Sequence, residues 1–255
     1  MKEITKENLK VKIFENRSLM GAAAAEAVSE KISELLKTKK YINIVFAAAP
    51  SQNNFLASIR QHAVDWSRIN AFHMDEYVGL DKDAPQLFGN YLRERLFEKF
   101  PFREVYYING NADNAEQECK RYSELLKRYP TDITILGIGE NTHIAFNDPH
   151  VADFDDPKIV KVVDLDEKNR MQQVDPNDNI CFNAIGEVPT HAITLTVPAL
   201  FRSDYLYAIV PGEKKADAIY HTLYSEVRET YPSTIIRRHK NAVLYLDEES
   251  AAKLK

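Results

Sequence analysis

The amino-acid sequence predicts a three-layer α/β protein, with a mostly parallel β-sheet covered by helices on both faces. Two patterns predict this class: short β-branched apolar runs alternate with amphipathic helical segments in the first half of the chain, and the alternation returns after residue 190. In addition, 255 residues with 44% hydrophobic side chains can form one large core. We therefore expect a single domain over residues 1–255.

The first half of the chain predicts four helix–strand pairs. Residues 18–36 form an amphipathic pattern whose alanines allow close packing, and residues 114–129 carry their charges on one face. The strands are apolar and rich in β-branched residues, and the clearest is 132–139. The predicted elements are, in order, a helix at 18–36, a strand at 41–47, a helix at 53–64, a strand at 69–74, a helix at 86–100, a strand at 104–108, a helix at 114–129 and a strand at 132–139.

The pattern weakens between residues 145 and 190, where Asp and Pro are frequent, and then becomes regular again. Within the weak region only residues 158–165 predict a strand. The remaining predicted elements are strands at 191–197 and 204–210, a helix at about 213–226, a strand at 241–246 and a short final helix.

Composition excludes several classes of partner. A net charge of −5 gives no basic field for nucleic acid or an anionic membrane. The sequence has no run of the roughly 20 apolar residues that a membrane helix needs, and its N-terminus predicts no signal peptide. Cys119 and Cys181 are far apart and in no motif, so we expect free packing thiols and a cytoplasmic protein.

Three loops follow the carboxyl ends of predicted strands, where parallel sheets bind ligands: residues 47–53, 75–85 and 140–150. The first, AAAPSQNNF, leads into a helix whose first N–H groups are free to bind an anion. It lacks the glycines that usually let a backbone approach a phosphate. From this loop alone, two interpretations remain: an anion-binding site, or a simple connection between a strand and a helix.

The second and third loops carry the chemistry. Asp75 is either a turn acid or a base whose pKa is raised at a strand end. His143 follows Gly-x-Gly and precedes Asp148, which favours acid–base work. A metal site is the alternative, although its ligand spacing matches no recognised site. The alternative metal ligands are His143, Asp148, His150 and Asp153.

Three segments, MDEYVGL, PQLFGNYLRERLF and LGIGENTHIAFNDP, resemble the glucosamine-6-phosphate deaminase/isomerase family in order along the chain. The resemblance implies a Rossmann-like fold of the deaminase/isomerase type. It also implies conversion of glucosamine 6-phosphate, or a related amino-sugar phosphate, to fructose 6-phosphate and ammonia, with no metal or organic cofactor. The chain is a candidate to form a homo-oligomer, and the sequence does not decide the number of subunits.

The resemblance also implies roles for single residues. Asp75 matches the base that moves a proton between C2 and C1 of the open sugar. His143 matches the residue that opens the pyranose ring, with Asn141 and Asp148 tuning it. The residues implied in binding the substrate and its phosphate are Ser51, Gln52, Glu76, Arg170 and Lys215.

The sequence departs from the family at three places. Thr142 stands where the family has glycine, so a left-handed backbone there would be strained. The region after Pro149, HVADFDDP, lacks the small-residue turn typical of the family. The first loop is Ala48-Ala49-Pro50-Ser51-Gln52-Asn53 in place of a pattern like Pro-Thr-Gly-Ser-Thr-Pro.

Two other functions are alternatives. A 6-phosphogluconolactonase-type hydrolase would share the fold, but those enzymes tend to have Arg after Asp-Glu, where this chain has Tyr77. A non-catalytic sugar-phosphate-binding domain is the other.

Overall fold

The structure is a computed structural model that describes residues 1–178 and 180–254. Its strands are β1 Lys2–Lys6, β2 Leu9–Phe14, β3 Ile42–Phe46, β4 Ile69–His73, β5 Asp75–Tyr77, β6 Glu104–Tyr106, β7 Ile133–Leu136, β8 Val160–Asp164, β9 His191–Leu195, β10 Tyr205–Val210 and β11 Ala242–Asp247. Its α-helices are α1 Arg17–Leu36, α2 Asn53–Ile59, α3 Phe88–Leu92, α4 Ala115–Arg128, α5 Glu167–Gln172, α6 Val197–Phe201 and α7 Ala216–Tyr224.

The main sheet has the strand order β1-β2-β11-β10-β7-β3-β4-β6. Every neighbouring pair in it is parallel except β1 with β2, which form an antiparallel hairpin at one edge. The predicted mostly parallel sheet is therefore confirmed. The hairpin was not predicted, although Leu9–Phe14 alternates buried apolar residues with lysines, as a half-buried strand does. Its partner Lys2–Lys6 has Ile4 as its one apolar residue and gives no such signal.

Helices cover both faces of this sheet, which confirms the three layers. Ile42, Ile44 and Phe46 of β3 point into one core, which α1, α2 and α3 complete. Val45 points into the other core, which α4, α6 and α7 complete. This alternation follows the two-residue period of a strand.

A second, antiparallel sheet of order β5-β9-β8 lies outside the main sheet. Its strands include the predicted runs at 158–165 and 191–197, but β5 falls in a segment expected to be a loop. Three residues are too short a run for hydrophobic periodicity to reveal. This sheet matters to the site because Asp75 is the first residue of β5 and pairs with Thr194.

Several boundaries differ from the predictions. The helix expected at 53–64 ends at Ile59, and the helix expected at 86–100 continues from α3 as one π-helical turn, Arg93–Phe97. The predicted final helix is wrong: residues 248–253 form turns. There the Asp247 carboxylate accepts a hydrogen bond from the Ser250 N–H (2.8 Å), a local side-chain bond that competes with helix formation.

Two expectations concern the whole chain. Cys119 and Cys181 are free thiols, as predicted. Within residues 1–178 and 180–254, no helix combines the length and the apolar character that crossing a membrane requires.

Candidate active site

The three loops predicted from the strand ends converge on one pocket beyond β3, β4 and β7. The pocket contains about 500 Å³ of empty space, including its open mouth. The end of α5 and the start of α7 close its other sides. Its lining residues are Ala47, Ala48, Ala49, Ser51, Met74, Asp75, Phe88, Gly137, Ile138, Gly139, His143, Ala145, Phe146, Gln172, Gln173 and Lys215.

Asp75 is held at the pocket by a histidine that remains neutral. Nδ1–H of His73 donates to the Asp75 carbonyl oxygen (2.8 Å), so Nε2 is the acceptor for the Ile108 N–H (3.0 Å). Burial lowers the pKa of His73 to about 4, which keeps the ring in this neutral form at ordinary pH. His73 thereby fixes the turn from β4 to β5 and the direction of the Asp75 side chain.

The Asp75 carboxyl group is a strong base in this position. It is 6% exposed, and its pKa is raised well above the usual range, first by burial and then by the negative charge of Glu76. Burial makes the ionised carboxylate less stable than it is in water, so its protonation is more favourable there. Asp75 is therefore suited to remove a proton from a carbon atom in the pocket.

The hydrogen bonds around Asn141 fix the tautomer of His143. Asn141 Nδ2 donates to two carboxylates, Asp148 Oδ1 (3.0 Å) and Asp166 Oδ2 (2.9 Å), so Oδ1 is its acceptor end. That oxygen lies 2.5 Å from His143 Nδ1, which therefore carries a proton. Asp148 Oδ1 lies 3.2 Å from the same nitrogen. Nε2 of neutral His143 is left as the unprotonated nitrogen for the pocket.

Asp148 anchors the network with a buried negative charge. Burial alone would raise its pKa, but hydrogen bonds from His143, Asn141 and Asn169 outweigh burial and lower the pKa. The Asp166 N–H also donates to Asp148 Oδ2 (3.2 Å), and Asp166 is the N-cap of α5. The sequence did not indicate Asp166 or Asn169. Through them the start of α5 orients the loop that carries Asp148.

The loop from 139 to 145 is tightly wound. Thr142 has φ 70° and Ala145 has φ 51°, so the left-handed backbone considered for Thr142 is present. Two backbone bonds hold Thr142 there: its N–H donates to the Gly139 carbonyl (2.9 Å), and its carbonyl accepts from the Ser233 N–H (2.9 Å). The surrounding structure thus compensates for strain of about 1–2 kcal/mol at a β-branched residue.

Gly139→Ala should displace the His143 ring, because a Cβ at position 139 would overlap the imidazole. We expect turnover to fall by roughly a hundredfold and the free energy of unfolding to fall by about 1–3 kcal/mol. Steady-state kinetics and thermal unfolding measure the two effects. Gly186→Ala is the matched control, since a Cβ there meets nothing within 4 Å. Normal turnover in Gly139→Ala would show that the ring position is unimportant.

Ser51 and Lys215 line both this pocket and the neighbouring surface groove, which Asp75 and His143 do not line. Burial lowers the pKa of Lys215 to about 8, Glu140 opposes this shift and Lys214 adds to it. A partly desolvated ammonium group gains from an anionic ligand, which would restore its charge. Gln172 and Gln173 line the same pocket and groove, and the Gln172 Oε1 accepts from the Glu140 N–H (2.7 Å).

Three predicted binding residues do not line the pocket. Gln52 is buried beneath it, where Nε2 donates to Ser51 Oγ and to the Ile209 carbonyl (both 3.1 Å). The Arg170 guanidinium donates to the carbonyls of Ile185 (2.7 Å) and Val188 (2.8 Å). The phosphate site proposed below therefore excludes Arg170.

The third of these residues is Glu76, whose side chain accepts hydrogen bonds from the N–H groups of Tyr77, Phe88 and Gly89. Its carboxylate is thus committed to the backbone at the start of α3.

The alternative metal ligands are only partly brought together. Asp148 and His150 lie with Asp166, each offering one atom within 4.8 Å of the others. Asp153 instead accepts from the Asp155 N–H (2.8 Å). Since N–H groups already occupy both Asp148 oxygens, a cation would have to displace these donors.

The family model and the similar proteins of known name point to the same family. Residues 15–245 match the family described as glucosamine-6-phosphate isomerases/6-phosphogluconolactonase. A glucosamine-6-phosphate deaminase of Bacillus cereus is 35% identical over 226 residues, which cover 89% of this chain and 83% of that protein. One from Bacillus thuringiensis is 34% identical with the same coverage.

Solved structures extend the comparison. A monomeric glucosamine-6-phosphate deaminase is similar with a TM-score of 0.85 and 27% identity, covering 95% of this chain and 98% of that chain. The 6-phosphogluconolactonase of Thermotoga maritima has a TM-score of 0.72 and 23% identity, with 93% and 98% covered, and shows likeness of fold alone.

Proposed function

The chain belongs to the glucosamine-6-phosphate isomerase/6-phosphogluconolactonase family of enzymes, and we propose that it converts glucosamine 6-phosphate, or a related amino-sugar phosphate, to fructose 6-phosphate and ammonia. The observation that carries the proposal is the buried Asp75 carboxyl group, which shares the pocket with His143. An aldose–ketose shift needs a base that reaches two adjacent carbon atoms, and this carboxylate at a strand end suits that task.

Ring opening comes first. His143 Nε2 accepts the proton of the sugar's C1 hydroxyl and returns a proton to the ring oxygen, which gives the open-chain aldehyde. Asn141 and Asp148 hold Nδ1–H during this exchange, and Asp148 stabilises the imidazolium that forms transiently. The same buried carboxylate keeps the ring from turning away from the substrate.

The proton shift follows. Asp75 removes the proton from C2, and the electron pair forms the C1–C2 double bond of an enolamine as the aldehyde oxygen takes up a proton. Asp75 then delivers its proton to C1, which leaves an imine at C2. Water adds to this imine, and ammonia leaves to give the ketone. A base with a raised pKa favours the first transfer, which is the difficult one.

The phosphate is proposed to lie between Ser51 and Lys215, at the end of the first loop. Ser51 Oγ accepts from Gln52 Nε2, so its own hydroxyl proton is free to donate to a phosphate oxygen. Side chains thus supply contacts that a glycine-rich loop would supply from its backbone. AAAPSQNNF is, on this proposal, a phosphate-binding loop with fewer backbone contacts.

The test is to incubate the purified protein with glucosamine 6-phosphate and to measure released ammonia and ketose phosphate in equal amounts. Hydrolysis of 6-phosphogluconolactone is assayed on the same sample. Ammonia release with no lactonase activity supports the proposal. Lactone hydrolysis without ammonia would instead favour the hydrolase, and binding without turnover would favour a sugar-phosphate-binding domain.

Lys215→Ala should raise the Michaelis constant for the phosphorylated sugar by roughly tenfold to a hundredfold, because a charge-assisted bond to phosphate is lost. Turnover should fall less, since the phosphate is remote from C1 and C2. In the unmodified protein the Michaelis constant should rise as the pH passes about 8, where Lys215 loses its charge. Kinetics from pH 6.5 to about 9.5 and competition by inorganic phosphate measure these effects.

Lys99 is the control, because it is exposed and does not line the catalytic pocket. Lys99→Ala should leave the preference for phosphorylated over unphosphorylated sugar unchanged. If Lys215→Ala also leaves this preference unchanged, the phosphate does not bind between Ser51 and Lys215.

A further inference from the structure

Glu76 is a buried acid that the proposed reaction does not use. Its side chain is held by three backbone donors: Oε1 accepts from Tyr77 and Phe88 (both 3.0 Å), and Oε2 accepts from Gly89 (2.9 Å). Two of these donors belong to the first turn of α3, and Phe88 itself lines the catalytic pocket. The space around the side chain is closed, since a Cβ on Gly89 or Gly110 would lie 3.3 Å from it.

The same residue is the chain neighbour of Asp75 on β5. Successive strand residues point to opposite sides, so Asp75 faces the pocket while Glu76 faces α3. Burial raises the pKa of Glu76 to about 7, and its three N–H donors oppose this shift by stabilising the ionised form. No donor from the described residues reaches the Asp75 carboxylate, whose pKa is raised well above its usual range by burial and then by the charge of Glu76. Of the two neighbours, Glu76 is therefore expected to ionise first.

Other charged or titratable groups also face this pair. Neutral His73 lies on the preceding strand, and Glu118 of α4 is near it but is paired with Arg121. His143 and Lys215 face Asp75 across the pocket. The remaining neighbours are the phenols of Tyr77 and Tyr122 and the Cys181 thiol, while Ile193 and Thr194 of the paired strand β9 are uncharged. Among the anionic groups, Glu76 is the one that acts directly on Asp75.

We propose that Glu76 is a positioning residue with two linked roles: its carboxylate fixes the start of α3 to β5, and its negative charge makes the neighbouring Asp75 a stronger base. The chain thus uses a backbone-bound acid, which is ionised above about pH 7, to raise the basicity of the carboxylate proposed as its catalytic base. The first role holds Phe88 at the pocket wall. The second raises the proton affinity of Asp75 without any contact between Glu76 and the substrate. The kinetic part of this inference rests on the proposed function.

The first experiment needs no activity. NMR titration of carboxyl-labelled wild-type protein, with Asp75 and Glu76 assigned, should show Glu76 ionising at lower pH than Asp75. In Glu76→Gln the Asp75 titration should move toward lower pH. Asp75 ionising before Glu76 in the wild type, or an unchanged Asp75 titration in Glu76→Gln, would overturn the proposal. If Glu76→Gln does not fold, the wild-type titration decides alone.

The kinetic experiment separates the two roles. In Glu76→Gln the acidic limb of the pH profile of kcat/KM should move toward lower pH, and kcat on the plateau should fall roughly threefold to tenfold because the base is weaker. Glu76→Asp keeps the charge with a shorter reach, so its limb should remain in place while KM rises. If Glu76→Gln and Glu76→Asp moved the acidic limb of the kcat/KM profile equally, Glu76 would have only a structural role.

Glu118→Gln is the matched control. Glu118 is also buried and accepts a backbone N–H, that of Asn109 (2.7 Å), but Arg121 neutralises it. This variant should leave the Asp75 titration in place. A wild-type protein that releases no ammonia would refute the proposed function, whereas the NMR titrations would still test the inference about Glu76.

Discussion

Replacing Asp75 with asparagine should lower turnover by about a hundredfold or more and, at the same time, raise the thermal stability of the protein. Turnover falls because the amide cannot accept the C2 proton. Affinity for the phosphate should change little, since Ser51 and Lys215 also line the neighbouring groove, which Asp75 does not line. Loss of activity with gain of stability distinguishes a catalytic carboxylate from a structural one.

The sign of the stability change follows from the raised pKa of Asp75. In the unfolded chain an aspartate loses its proton near pH 4. The folded protein retains that proton to higher pH, so the unfolded state binds fewer protons above about pH 4. Stability therefore falls as the pH rises from there through the folded pKa. Asp75→Asn removes this penalty, so the two proteins should be equally stable below about pH 4 and should diverge above it.

Thermal unfolding between pH 4 and 8 measures the effect, and each kcal/mol corresponds to roughly 2–4 °C for a chain of this size. Asp132→Asn is the matched control: Asp132 is also buried but is paired with Lys39 and accepts the Asn43 N–H (2.7 Å). That variant should lose stability and keep its turnover. Near-normal turnover in Asp75→Asn would remove Asp75 from the mechanism.

The position of the site could be predicted because parallel strands end at a common edge. Asp75 and His143 follow β4 and β7, so knowledge of these strands alone places their loops near each other. The resemblance then gave each residue a role. The assignment of these two strands was therefore sufficient to predict that Asp75 and His143 lie near each other.

The residues at the proposed phosphate-binding end were harder to predict, because they depend on the direction of side chains on α5. Arg170 and Gln172 are two positions apart on α5, so they point to sides of the helix about 200° apart. The weak periodicity of this segment does not indicate which of these sides faces the pocket. Glu76 was misplaced for a similar reason, since the side that each residue of β5 faces depends on its pairing with β9.

His143→Gln should reduce kcat/KM for the cyclic sugar by roughly a hundredfold or more while reducing reaction of an acyclic analogue by less than about tenfold. An analogue lacking both the 4- and the 5-hydroxyl can close neither a furanose nor a pyranose ring, so it enters the reaction after the step assigned to His143. Glutamine keeps a hydrogen-bonding group near Asn141 but cannot exchange a proton with the ring oxygen. The ratio of the two losses therefore isolates the ring-opening step from the proton shift at Asp75.

His191→Gln is the control, because His191 also pairs with a carboxylate, Asp164 (2.9 Å), but lies exposed and outside the pocket. It should leave both substrates unaffected. Equal losses on the cyclic and acyclic sugars in His143→Gln would mean that His143 acts in the proton shift or only supports the loop. In that case Asp148→Asn should also reduce kcat/KM equally for the cyclic and the acyclic sugar, because His143 stabilises the buried charge of Asp148. Unequal losses in both variants would instead place the Asp148–His143 pair at the ring oxygen, because a carboxylate that only supported the loop would have no reason to favour the cyclic substrate.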